Sequence, residues 1–349
     1  MAEKRELQMK EITEQLEQGL KELFTSEMYT EYLRTMSQFH NYSFNNTLLI
    51  AMQKPDATLV AGYQAWQKKF KRQVRRGEKA IQIIAPAPIR EKQEVEKIDP
   101  ETQEPVLRFD GQPETEEVEI VIPRFRVASV FDISQTDGEP LPELETPELM
   151  GSVENFKVFM KAVQEVSPVP VRFDEISSGA KGYYSNTEKE IVIQNGMSES
   201  QTMKTGIHEV THAMLHDRDF MEEQGEKKNQ MTKEVEAESV AYTVCQYFGL
   251  DTSDYSFPYI AGWSSSMDMK ELRTSMDTIR KTAGSFIDSM TEVIQRLMRE
   301  QPELSLSAMK QAEILIDRVE QERTLFSGEE RNLLVNYAYK FDNAEETEK

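Results

Sequence analysis

The stretch Ile207-His208-Glu209-Val210-Thr211-His212-Ala213-Met214-Leu215-His216 decides the fold of the second half of the chain. It contains three of the four histidines of the protein, among apolar and small residues that are typical of a buried helix. Residues four apart on an α-helix lie on one face, about 6 Å apart along the axis. His208 and His212 can therefore converge on one metal ion, and the pattern HExxH predicts a zinc site.

Glu209 comes one residue after the first histidine, where it can reach a metal-activated water without binding the metal. We expect it to be the general base. A catalytic zinc also needs a third protein ligand and an open fourth position. The next predicted helix offers Glu236, with Glu238 as the rival and Glu234 near the face of Glu238. His216 continues the first helix, and we expect it to support the site or lie on the surface.

Composition limits the class of protein. At 349 residues the chain is long enough for two domains, or for one large domain with extensions. Its single cysteine, Cys245, excludes a disulfide framework and favours a reducing compartment. No run approaches the roughly 18–20 apolar residues of a membrane span, and no leader pattern is evident. The sequence therefore predicts a cytoplasmic protein that does not enter a membrane.

The net charge of −21 argues against nucleic-acid binding only if it is spread evenly. It is not, because residues 1–90 have a net charge of +4 and residues 91–120 carry 3 positive and 11 negative side chains. Seven cations fall within twelve residues: Lys68, Lys69, Lys71, Arg72, Arg75, Arg76 and Lys79. This concentration predicts a basic patch on an otherwise acidic protein.

Periodicity and composition shifts predict an α+β protein of two domains. Helical patterns cover residues 1–37 and 42–52, strand patterns cover 80–85, 118–122 and 124–131, and the acidic segment 90–117 reads as a long exposed loop. Three prolines between Gly138 and Pro147 mark the domain boundary. We therefore predict a first domain over 1–142, a second over 148–300 and an acidic helical extension over 301–349.

Several motifs together resemble a known family. His208–Ala213 with the downstream Glu236-Ala237 is similar to gluzincin-type zinc metallopeptidases. The wider set resembles ArdC-type antirestriction proteins of mobile elements, over roughly residues 5–285. That set comprises Tyr42–Asn46, Gly62–Trp66, Arg76–Lys79, Phe125–Asp132, Gly182–Ser185, Glu190–Ile193 and Tyr255–Trp263. The resemblance implies an N-terminal single-stranded DNA-binding domain joined to a zincin-like (gluzincin) metallopeptidase domain.

Single-strand binding needs a positive groove and aromatic faces on which bases stack. The seven cations from Lys68 to Lys79 can supply the groove, Trp66 a stacking face, and Asn45 an amide donor. Tyr42, Tyr63, Phe70 and Asn46 are further candidates. The competing interpretation places Trp66 and Phe70 in the core and the cations on a solvated face.

Taken together, these patterns predict a zinc metallopeptidase, with single-stranded DNA and a protein or peptide as its partners. We expect an extended substrate to add to Ile191–Gln194 as an edge strand, and an oxyanion donor from among Tyr242, Tyr255, Tyr259 and His216. Two alternatives remain open. One is a non-proteolytic DNA-binding antirestriction protein with a structural or vestigial zinc site. The other is an acidic DNA mimic.

Overall fold

We describe the protein from a computed structural model. It describes residues 2–97, 104–109, 112–139, 153–225, 227–250, 252, 253, 255 and 257–300. Most of the predicted domain boundary and the whole predicted extension over 301–349 lie outside these residues.

The chain begins with three helices: α1 (Ala2–Leu23), α2 (Ser26–Gln38) and α3 (Phe44–Gln53). The helical pattern predicted over 1–37 is divided in two, because Thr25 caps α2 by accepting a hydrogen bond from the backbone N–H of Met28. Ser43 caps α3 in the same way, through the N–H of Asn46. The helix predicted over 42–52 is confirmed.

The rest of the first half consists of short strands and one short helix. These are β1 (Val60–Gly62), α4 (Tyr63–Lys68), β2 (Arg72–Val74), β3 (Ile81–Pro86), β4 (Ile89–Glu96), β5 (Thr115–Ile122), β6 (Phe125–Asp132) and β7 (Thr136–Gly138). Strand β6 is the centre of an antiparallel sheet with the order β1-β6-β3, and β2 pairs with β7. The strand patterns of the sequence are confirmed here.

The acidic segment 90–117 differs from its prediction as a loop. Strands β4 and β5 form an antiparallel hairpin that pairs Ile89 with Ile122 at one end and Glu96 with Thr115 at the other. Most of its side chains are exposed, and ion pairs such as Lys92–Glu117 cross between the strands. Cross-strand pairs of opposite charge stabilise such a ladder. Residues 98–103, 110 and 111 lie outside the described part.

The second half places a small sheet among helices. Its elements are α5 (Val153–Val166), β8 (Val171–Asp174), β9 (Gly182–Ser185), β10 (Glu190–Gln194), α6 (Glu199–Leu215), α7 (Arg218–Glu223), α8 (Gln230–Tyr247), α9 (Ile260–Ser265) and α10 (Met269–Glu300). The sheet order is β8-β10-β9, with β10 parallel to β8 and antiparallel to β9. The fold is therefore α+β, as predicted.

Strand β10 is central, so the expectation that Ile191–Gln194 forms an edge is wrong. Its side chains Ile191, Val192 and Ile193 are buried on both faces of the sheet. A continuous apolar run is typical of a strand covered on both sides. Among the described strands, β8 and β9 form the two edges of this sheet, and β9 contacts helix α6.

One hydrophobic core joins the N-terminal helices to the second half. The Tyr29 hydroxyl in α2 lies 2.7 Å from Ser239 Oγ in α8, and the ring of Phe24 packs edge-on against Trp263 at 5.8 Å between centroids. Helices α1–α3 thus pack against the predicted second domain, and a division near residue 142 stays a prediction. Among the described helices, none combines the length and apolar character needed to cross a bilayer.

Candidate functional site

Helix α6 carries the HExxH motif. Ser198 caps its first turn, and His216 follows its last residue, Leu215. The four-residue spacing brings Nε2 of His208 and Nε2 of His212 to 3.1 Å from each other. The convergence that the sequence predicts for this pair is thus present in the structure.

Helix α8 packs against α6 and brings a carboxylate to the pair. Glu234 Oε2 lies 3.5 Å from Nε2 of His208 and 3.5 Å from Nε2 of His212. These three residues form a group whose ligand atoms could hold one metal ion. The two nearby histidines, above all His208 through its hydrogen bond, hold the pKa of the Glu234 carboxyl far below its ordinary value, so the carboxylate is ionised at neutral pH.

Glu236, predicted as the third ligand, is not brought to this group. The physical reason is helical phase: two residues turn a helix by about 200°, whereas Glu234 and Glu238 are four apart and share a face. Glu236 is fully buried and accepts hydrogen bonds from Ser275 Oγ at 2.6 Å and Lys228 Nζ at 3.0 Å. Its Oε2 also lies 3.0 Å from His216 Nε2.

Glu238 lies on the same face of α8 as Glu234. Burial raises its pKa to about 7, while the charge of His208 lowers it and that of Glu234 raises it further. The sequence left the choice between Glu236 and its rival Glu238 and did not offer Glu234 as a ligand, whereas the structure turns the face with Glu234 and Glu238 towards the histidines. Of these, Glu234 makes the contact with both histidines.

Glu209 is buried beside the metal-binding group but does not belong to it. Burial raises the pKa of its carboxyl, against the lowering effect of His208, His212 and a hydrogen bond from the backbone N–H of Tyr184. The neighbouring strand β9 passes close to the Glu209 side chain at Gly182. A Cβ built there would lie 3.2 Å from Cγ of Glu209.

His216 lies between His212 of the candidate metal group and the buried carboxylate of Glu236. It is buried, with Nδ1 at 2.9 Å from His212 Nδ1 and Nε2 directed to Glu236. Burial is the main reason that its pKa lies below the ordinary value, although Glu236 opposes the shift. The sequence pointed to His216 only through its position four residues after His212, and that spacing alone does not distinguish a surface histidine from one that supports the metal group.

The other predicted oxyanion donors are tyrosines in or near the core. Tyr242 is buried against Tyr255 and Phe257, and the Tyr255 hydroxyl lies 4.0 Å from Cys245 Sγ. The Tyr259 hydroxyl is buried and has no hydrogen-bond partner among the residues that the structure describes. These contacts do not select one of the three as the donor.

The predicted nucleic-acid residues fall into two groups. Arg72 donates to Thr136 Oγ1 and to the carbonyl oxygens of Thr136 and Glu139, and Arg75 pairs with Glu78. Both therefore brace the first domain internally. Arg72 is partly buried, whereas the other six predicted cations are exposed: Lys68, Lys69, Lys71, Arg75, Arg76 and Lys79.

Trp66 is not available as a stacking face, which corrects its prediction. It is 0% exposed, and its Nε1 donates to the carbonyl oxygen of Phe131 at 2.8 Å. Of the four predicted aromatic residues, Tyr63 is the exposed one, at 48%, and it lies one helical turn before Trp66. Asn45 is partly buried, with Oδ1 at 3.5 Å from Arg273 Nη1 in α10.

Comparison with known proteins finds a family model, a relative and solved structures to which this chain is similar. A family model described as the N-terminal domain of the anti-restriction factor ArdC matches residues 2–131. An uncharacterized protein of Bacillus anthracis is 29% identical over 297 residues, which cover 77% of this chain. The match covers 49% of that protein, so the chain spans about half the length of this curated relative.

Two solved structures of the antirestriction ArdC protein from plasmid R388 are also similar. The metal-free structure has 21% identity and a TM-score of 0.44, and covers 72% of this chain and 85% of that one. The Mn(II)-bound structure has 19% identity and a TM-score of 0.43, with coverage of 72% and 84%. The match to the family model thus shows that residues 2–131 of this chain are similar to the N-terminal domain of the anti-restriction factor ArdC.

Proposed function

We propose that the second half of the chain is a metallopeptidase whose zinc ion is held by His208, His212 and Glu234. The observation that carries this proposal is the convergence of three ligand atoms, separated by 3.1, 3.5 and 3.5 Å. Ligands about 2.0–2.1 Å from a tetrahedral zinc ion lie about 3.3 Å from one another. The group therefore fits the ion with little rearrangement.

The chemistry of the donor set also favours a catalytic ion. Two imidazoles and one carboxylate are the ligands of known zinc peptidases, and three protein ligands leave a fourth position open. A divalent ion bound there supplies Lewis acidity, which polarises a carbonyl group and acidifies water.

Glu209 is the proposed proton acceptor. Its carboxylate is next to the group without belonging to it, and its raised pKa suits a base that takes a proton from water near neutral pH. The Tyr184 N–H and the close backbone at Gly182 hold the side chain in place. The edge of β9 next to α6 offers a place where an extended peptide can add as a further strand.

Glu209→Gln tests this role. We expect the zinc-loaded variant to cleave unfolded casein at least about 100-fold more slowly than wild type, since a general base contributes that much or more. Its zinc content should be unchanged. Glu223→Gln, at an exposed position on α7, is the matched control and should leave the rate unchanged. Casein cleavage by Glu209→Gln at the wild-type rate would contradict the proposal.

We further propose that the first half binds single-stranded DNA. This rests on the match of residues 2–131 to the ArdC N-terminal domain and on the exposed cations and the exposed ring of Tyr63 in one segment of the chain. A cationic surface with aromatic rings suits a single strand, because the phosphates are neutralised while the bases stack.

The alternative is a DNA-binding antirestriction protein that cleaves nothing and keeps the metal group as a structural element. The two are separated by a protection assay on single-stranded DNA entering a restricting host. Protection that survives Glu209→Gln but is lost on charge reversal at Arg76 and Lys79 favours the alternative. Loss of protection with Glu209→Gln favours the peptidase. The acidic mimic is less well supported, because acids of the exposed hairpin pair with its own Lys92 and Arg90.

A further inference from the structure

A buried chain of hydrogen-bonding groups runs away from the candidate metal ligand His212. His212 Nδ1 lies 2.9 Å from His216 Nδ1, and His216 Nε2 lies 3.0 Å from Glu236 Oε2. Lys228 Nζ and Ser275 Oγ also contact the Glu236 carboxylate, at 3.0 and 2.6 Å. The chain thus joins three elements, α6, α8 and α10, behind the histidine pair.

The carboxylate determines where the protons sit. An ionised carboxylate only accepts hydrogen bonds, so His216 Nε2 must carry the proton in its bond to Glu236. Lys228 already supplies the positive charge that balances Glu236, and a second buried cation beside it would be costly. A neutral His216 protonated at Nε2 has a lone pair at Nδ1.

That lone pair in turn determines the state of His212. At 2.9 Å the two Nδ1 atoms share one proton, and since His216 Nδ1 accepts, His212 Nδ1 must donate. His212 Nε2 is then unprotonated and accepts a hydrogen bond from His208 Nε2 at 3.1 Å, and the His208 proton also faces the ionised Glu234 carboxylate. A metal ion needs this unprotonated nitrogen.

We propose that Glu236 and His216 are positioning residues that fix the tautomer of His212 and so prepare its Nε2 to bind metal. The inference rests on the proposed metal site. It assigns to Glu236 an effect on the site through two histidines rather than by direct contact. Partners behind metal-bound histidines typically change metal affinity or activity by about 10–100-fold when they are removed.

The first experiment measures the tautomers directly. The full chain, stripped of metal and labelled with ¹⁵N at histidine, has only four histidines to assign. We expect His212 protonated at Nδ1 and His216 protonated at Nε2. His212 protonated at Nε2 would overturn the proposal. This experiment needs no substitution, so it stands even where a variant fails to fold.

The second experiment measures zinc affinity by competition with a chelator. His216→Leu should weaken binding by about 10–100-fold, whereas His216→Asn, which keeps an acceptor near His212 Nδ1, should recover part of the loss. His40→Leu is the matched control, because His40 is equally buried, at 3% exposure, but contacts Asn41 and Asp288 instead. It should leave zinc affinity unchanged, whatever it does to the melting temperature.

The outcomes separate this inference from the proposed function. A wild-type chain that binds no zinc contradicts the proposed function, and the tautomers then still decide the inference. A wild-type chain that binds zinc, with His216→Leu binding as tightly, contradicts the inference alone.

Discussion

Glu234 Oε2 lies 3.5 Å from Nε2 of His212, across the contact between helices α8 and α6. The two residues are 22 positions apart in the sequence. Their approach depends on the path through α7, where Asp217 caps the short helix by accepting from the N–H groups of Asp219 and Phe220. The turn reverses the chain and returns a carboxylate to the histidine pair.

Zinc affinity should increase with pH. Burial lowers the pKa of His208, but the hydrogen bond to Glu234 and the charges of Glu209, Glu234 and Glu238 outweigh it, so the pKa lies above the ordinary 6.5. Protons therefore compete with metal at a higher pH than for a free histidine. Chelator competition from about pH 6 to pH 8 should show affinity that is still increasing above pH 6.5.

Glu238→Gln provides a second test of this pH dependence. It removes one charge that raises the pKa of His208, so the pH dependence should move to lower pH. An affinity that is constant over the whole range would contradict the assignment of His208 as a ligand.

Gly182→Ala should lower both stability and peptidase activity, because Gly182 in β9 packs closely against Glu209. Its Cβ would fall 2.6 Å from Cγ2 of Thr205, 3.1 Å from the Val192 carbonyl oxygen and 3.2 Å from Cγ of Glu209. Overpacking of this kind costs about 1–3 kcal/mol, and any shift of Glu209 lowers turnover as well. Thermal melting and casein cleavage measure the two effects.

Gly262→Ala is the matched control for that substitution. Gly262 lies in α9, a methyl group added at its Cα would meet no atom within 4 Å, and alanine favours a helix by up to about 1 kcal/mol over glycine. We expect equal or slightly higher stability. Equal melting temperatures and equal casein cleavage rates in the two variants would contradict a role for the close contact between β9 and Glu209.

The cations of the first half should separate into binding and bracing residues. Charge reversal at Arg76 and Lys79 should weaken binding of oligo-dT and lower the slope of log affinity against log salt by about 0.7 for each phosphate that is no longer neutralised. Melting should not change, because both side chains are exposed.

Arg72→Ala should lower the stability of the fold without a separate effect on DNA binding. It removes hydrogen bonds to Thr136 and Glu139, and the expected loss of stability is about 1–3 kcal/mol. Its effect on DNA binding should follow the folded fraction. An unchanged oligo-dT affinity and salt slope after reversal at Arg76 and Lys79 would contradict the DNA-binding surface.

Local patterns were sufficient to predict much of this fold. Helical spacing predicted the convergence of His208 and His212, and alternation predicted β3, β5 and β6. The third member of the group, Glu234, was missed, because the sequence favoured Glu236 with Glu238 as the rival and the outcome depends on which face of α8 meets α6. The four-residue spacing of Glu234 and Glu238 indicated a shared face, but the sequence did not say which face was turned to the metal.

Tertiary context decided the remaining differences. Strand β10 is central because it pairs with β9 on one side and with β8, which precedes β9 in the chain, in parallel on the other side, and no local pattern specifies such a partner. Trp66 and Arg72 are used inside the first half for the same reason: their partners, Phe131 and Thr136, lie more than sixty residues further along the chain. Side-chain type alone predicted their chemistry but not their burial.

The most direct test of the central claim is a zinc titration of the metal-stripped full chain, compared with Glu234→Gln and Glu238→Gln. We predict one zinc ion per wild-type chain, a loss of affinity of at least about 100-fold in Glu234→Gln, and a much smaller change in Glu238→Gln. Wild-type affinity in Glu234→Gln would contradict the assignment of His208, His212 and Glu234 as the metal centre.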